Sequence, residues 1–167
     1  MNLGNRRLKM DRLRTLFEEL GFANVSTFIA SGNVFFQSKI KGDQKLAEMI
    51  EAHLEKSLGY SVDTFVRTRD EIESAIAEAK FPETEGATIH VAFARDVIPK
   101  ETANALRACR TEVDEFDVRG REFYWLCRIK TNESKVWTTP AMKAAKLPSV
   151  TMRNMTSLKK MLAAWPA

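Results

Sequence analysis

The side chains that could do chemistry in this chain are few and poorly spaced for it. His53 and His90 are its only histidines, and Cys109 and Cys127 its only cysteines. A zinc site draws such residues from short paired spacings, and none occurs among these four. A nucleophilic cysteine needs a neighbouring base, which the sequence does not indicate. Cys127 alternates with Trp125 and Phe123 as a core strand does, His53 lies between Ile50 and Leu54 in a helical pattern, and His90 alternates along a strand. There is no phosphate-cradling glycine loop and no dinucleotide fingerprint. The sequence therefore predicts no catalytic residues, no metal and no cofactor. An enzyme built on it would rely on its substrate's own groups or on a metal arriving with the ligand.

What remains is charge. The net charge is +4, unevenly spread: residues 117–167 carry 10 Lys+Arg against 3 Asp+Glu, while 1–116 carry 16 against 19. Lys135, Lys143, Lys146, Lys159 and Lys160 are candidate phosphate contacts, so nucleic acid is one partner class to weigh. No aromatic interleaves the last four, and the RNA-recognition signature is absent. The plainer reading is a solvated helical face.

The elements that must position these groups follow from periodicity. Leu13, Leu16, Phe17 and Leu20 fall on one face of a helix over 11–20, with Gly21 placed to end it. Strands over 25–30 and 34–37 turn at Ser31-Gly32-Asn33. Phe35 and Phe36 must point to opposite faces, so at least one is core. A helix over 43–58 stops at Gly59, and 61–67 reads as a strand. The pattern continues with a helix at 69–80, a polar loop at 81–86, a strand at 87–94 and a helix at 100–109. Strands at 113–118 and 122–129 turn at Gly120. A helix spans 134–146, with Pro140 marking a first turn or a kink. The last helix covers 155–165, with Leu158, Met161, Leu162 and Trp165 on one face.

This order predicts an α+β fold of two ferredoxin-like (split β-α-β) halves with antiparallel sheets, plus a C-terminal helix. The halves are residues 1–80 and 81–167, expected to form one compact unit. At 167 residues the chain can bury roughly 70% of the surface its unfolded form exposes. The first half lacks its opening strand, which in such a sheet is central. The sequence thus predicts a natural start upstream of Met1, which an in-frame stop immediately before Met1 would contradict. An open edge there could drive dimerisation. No apolar run has the length of a membrane helix, and two cysteines with no signal peptide predict a cytoplasmic setting.

Several short motifs recur in a recognisable order. They are Asn2-Leu3-Gly4-Asn5-Arg6-Arg7-Leu8-Lys9-Met10, Leu16 to Phe22, Ser31-Gly32-Asn33-Val34, Ser134-Lys135, and Thr151-Met152-Arg153-Asn154. Together they resemble the bacterial DUF1697 family, a domain of unknown function. Asn5 stands where that family usually has a second glycine, and Met155 where it has an aromatic. The resemblance implies the α+β fold above and no known reaction.

It also singles out Asn2, Gly4, Asn5, Ser31, Gly32, Asn33, Arg153 and Asn154 as ligand-binding candidates. Their vocabulary is amides, hydroxyls, close backbone approach and one guanidinium, suited to a small anionic or phosphorylated ligand in a polar cleft. Each has a plainer alternative: a turn at 31–33, a helix cap at Asn154 or Thr156, a core-edge pairing for Arg153. A structural or protein-interaction module would use the motifs only in those ways.

Overall fold

A computed structural model describes residues 1–4, 7–29, 32–82 and 84–167. The fold is mixed, with two antiparallel sheets and helices. It divides into two compact units, Met1–Arg67 with Ala164–Ala167, and Thr68–Ala163.

In the first unit, α1 (Met10–Glu19) buries Leu13, Leu16 and Phe17, the face its periodicity marked. The hairpin of β1 (Ala23–Phe28) and β2 (Asn33–Gln37) pairs Thr27 with Val34 and Phe28 with Asn33. Helix α2 (Asp43–Leu58) buries Leu46, Ala47, Ile50 and Leu54, and ends on Gly59 at φ 79, a left-handed conformation that glycine adopts without strain. Phe36 stacks on Phe22 at 4.5 Å and meets Phe17 at 5.5 Å. Phe35, pointing the other way, packs on Trp165 at 4.8 Å. Trp165 is therefore not on the face of the last helix, which stops at Ala163.

The strand expected over 61–67 does not form. The segment carries a strand's alternation, with Val62 and Thr64 buried between exposed Ser61 and Asp63, yet it joins no ladder. Its carbonyls find other donors. Thr64 Oγ1 donates to Val62 O at 3.3 Å, Arg67 Nη1 to Val66 O at 3.0 Å, and Asn2 N to Asp63 O at 3.0 Å. Alternation specifies which face is buried, whereas a strand also needs a neighbour to pair with.

The second unit opens with α3 (Arg69–Ala77), held by a capping box in which Thr68 and Glu71 satisfy each other's backbone N–H. Its sheet has the order β4-β5-β3-β6. Strand β3 (Thr88–Ala94) leads through α4 (Lys100–Ala108) to β4 (Asp114–Arg119), and β5 (Glu122–Cys127) returns between them, antiparallel to both. The β5–β6 crossover is not the single helix expected over 134–146. It breaks into 3-10 turns at Thr131–Glu133 and Val136–Thr138, and a short α5 (Pro140–Ala144) that Pro140 opens and the Thr139 hydroxyl caps. Pro140 lacks the N–H an interior helical position would need, so it starts a helix instead.

Strand β6 (Val150–Asn154) then pairs with β3, and α6 (Met155–Ala163) follows directly. Period-2 alternation sends Ala92, Ala94, Phe123 and Trp125 into a core with Leu106 of α4 and Met142 of α5. The opposite face, with Val91 and Tyr124, lies under α3 and α6, and the Tyr124 hydroxyl donates to Ala75 O at 2.7 Å.

Candidate functional site

Two of the singled-out motifs meet in the first unit. Gly32 turns the hairpin at φ 77, and a Cβ placed on it would stand 2.9 Å from Met1 Cγ and 3.2 Å from Leu3 Cδ1. The opening segment thus lies directly against the hairpin turn, and the Met1 amino group approaches Gly32 O at 3.4 Å. Gly4 also has positive φ, at 61. Asn33 Nδ2 donates to Phe28 O at 3.1 Å, bracing the turn. Asn5 and Ser31 fall outside the described residues.

The third motif is a strand end in the second unit, a stretch to which periodicity assigns no element. Pro148 and Ser149 masked it, and five residues ending in Arg-Asn resemble a loop before a cap. The run Val150-Thr151-Met152, with its two β-branched residues, is the signal that marks it. Arg153 stands opposite Val91, and Asn154 opposite His90. Neighbours on a strand face opposite sides, so these two polar groups diverge. Asn154 Oδ1 accepts from Ser157 N at 2.7 Å, capping α6. Arg153 Nη1 donates to Thr151 Oγ1 at 2.8 Å and to Met152 O at 2.9 Å. Burial lowers the pKa of its guanidinium, because desolvation disfavours the charged form.

Lys135, Lys143, Lys146, Lys159 and Lys160 are all exposed. The first three lie on the β5–β6 crossover, beside the α4 face of the sheet. The last two are on α6, in the opposite layer.

Ser134, from the Ser-Lys motif, has a structural task that the sequence did not disclose. Its hydroxyl lies 2.9 and 3.0 Å from the two carboxylate oxygens of Asp114, which is 1% exposed. Thr111 Oγ1 donates to the same carboxylate at 2.7 Å and Trp125 Nε1 at 2.8 Å. A buried carboxylate is tolerated when its lone pairs are filled in this way.

His90 lies beside Trp125 with ring centroids 5.1 Å apart and the rings tilted, and its Nδ1 is buried without a hydrogen-bond partner among the described residues. Desolvation lowers its pKa. His53 Nε2 lies 2.8 Å from Glu19 Oε2. Cys109 and Cys127 are free thiols in the core, and burial raises the pKa of both. Among the described residues no group of three His, Cys, Asp or Glu could hold a metal ion. No helix there is long and apolar enough to cross a membrane.

A family described as a protein of unknown function (DUF1697) matches residues 1–124. The chain is also similar to a solved structure, that of conserved bacterial protein SP0830 from Streptococcus pneumoniae. The two share 20% identity with a TM-score of 0.68, over 98% of this chain and 92% of that one. At that identity the likeness establishes the fold alone. No curated protein matches the chain.

Proposed function

The chain belongs to the DUF1697 family of proteins of unknown function, and from that premise, which carries no established activity, we propose that it binds a small anionic or phosphorylated ligand with the Arg153 guanidinium as counter-charge. One observation supports this reading: a partly buried guanidinium on a sheet strand, donating to Thr151 Oγ1 and Met152 O among its contacts and desolvated enough to lower its pKa. An anion at such a group offsets the cost of keeping it from water, and the fork geometry of arginine suits carboxylate and phosphate.

The finer reading of the fold is ferredoxin-like. Support comes from the second unit, where β3, α4 and β4 make a strand-helix-strand unit split by β5. We further infer a bacterial, cytoplasmic setting. Two buried, unbridged thiols support the cytoplasmic part of it.

The test is thermal unfolding against nucleotides, sugar phosphates and carboxylates. A ligand at about 100 times its dissociation constant adds ~2.7 kcal/mol, a rise of roughly 5–10 °C for a chain this size. The reading stands if one small anion gives such a rise, Arg153→Ala abolishes it and Arg153→Lys restores part. It fails if no anion moves the midpoint, or if the rise persists in Arg153→Ala.

A further inference from the structure

The charges of residues 128–163 sort by residue type. From 128 to 163 the chain carries eight Lys+Arg and one carboxylate, Glu133, a net of +7. The arginines are engaged: Arg128 with Glu115 at 2.7 Å, Arg153 with the acceptors described above. The lysines are not. Lys130, Lys135, Lys143 and Lys146 all lie on the β5–β6 crossover, exposed, with no carboxylate in ion-pair distance among the described residues.

Lys146 has a second peculiarity. It follows α5 at φ 51, the left-handed conformation in which glycine commonly closes a helix. A lysine held there accepts backbone strain that glycine would avoid, and strain of this kind concentrates at functional positions.

We propose that this crossover seats the phosphodiester backbone of duplex nucleic acid, without regard to base sequence. A protein partner would need a buried apolar anchor at the centre of its contact. Among the described residues the exposed large hydrophobics, Ile29 and Val97, both lie outside the crossover. A single strand would need aromatic faces on which to stack bases. Trp125 is buried, and Trp137 stands edge-on to both Trp125 and Phe116. A duplex backbone asks only for cations on flexible stems that can reach its phosphates, which exposed lysines supply. Arg153 lies on the opposite face of the sheet, so this surface is independent of the small-anion reading.

The experiment is fluorescence anisotropy of the full chain with two labelled duplexes of unrelated sequence, across salt. Neutralising four to six phosphates should weaken binding on the order of 10²–10³-fold between about 50 and 200 mM salt, equally for both sequences. The K143E/K146E chain should bind at least about tenfold more weakly. The K39E/K45E chain, with the same charge change on exposed lysines of the first unit, should stay within about twofold. K146G should bind more weakly while its melting temperature holds or rises, which separates the lost charge from any loss of fold. The proposal is overturned by no binding at low salt, by salt-independent binding, or by equal effects of the two charge reversals. Competition by polyglutamate as strong as by duplex would overturn it too, as would K146G binding as tightly as the parent.

Discussion

Asp114 Oδ1 accepts a 2.8 Å hydrogen bond from the indole N–H of Trp125, diagonally across the β4–β5 ladder. The same carboxylate holds Ser134, and so fastens the start of the β5–β6 crossover to the sheet. Hydrogen bonds to a buried charge contribute more than neutral ones. Ser134→Ala is expected to cost about 1–3 kcal/mol, and Trp125→Phe at least as much, because each removes a donor to a carboxylate that water cannot reach. Urea midpoints measure this, and unchanged midpoints in both variants would show that the network holds nothing.

His90 gives the fold an acid-sensitive point. Its folded pKa lies below the ordinary 6.5, because protonation would put charge on a ring whose Nδ1 is buried without a partner. The unfolded chain therefore takes up the proton first. The His90 contribution is intact above 6.5 and is lost as pH falls below that value toward the folded pKa. Comparing parent and His90→Phe from about pH 7.5 to 5, the parent should lose stability more steeply. Parallel curves would refute this.

Gly32 and Gly59 both have positive φ, 77 and 79, but only Gly32 has a neighbour in the path of a Cβ. Gly59→Ala meets nothing within 4 Å and should cost about 1 kcal/mol, from backbone strain alone. Gly32→Ala adds a contact at 2.9 Å with Met1 and should cost more, about 2 kcal/mol. If denaturation ranks them in the opposite order, the close packing of the opening segment on the hairpin is not tight.

Asn154 separates capping from ligand binding. As the N-cap of α6, its loss in Asn154→Ala should cost about 1 kcal/mol, and Asn154→Asp or Asn154→Ser should recover most of it. The anion-dependent rise assigned to Arg153 should persist in Asn154→Ala, since the two side chains leave β6 on opposite faces. Loss of that rise with stability unchanged would reverse the assignment.

Local pattern made most elements legible. The helix expected over 43–58 is α2 to the residue, because Leu46, Ile50 and Leu54 mark one face and Gly59 supplies the left-handed stop. The hairpin turn at Gly32 and the Gly120 turn between β4 and β5 were legible for the same reason: their backbone has the positive φ that glycine adopts without strain.

Pairing was decided only in three dimensions. Residues 61–67 carry a strand's alternation yet join no ladder. Residues 150–154 carry a weaker pattern, but β3 lies beside them and they become β6. Arg153 and Asn154, adjacent in sequence and alike in polarity, part company because a pleated strand turns successive side chains to opposite faces. Ser134 became an anchor because Asp114 lies twenty residues back in the chain and one hydrogen bond away in space. Composition and periodicity fix which residues bend, cap and bury. Which partner each polar group finds depends on contacts between distant parts of the chain, and these only folding creates.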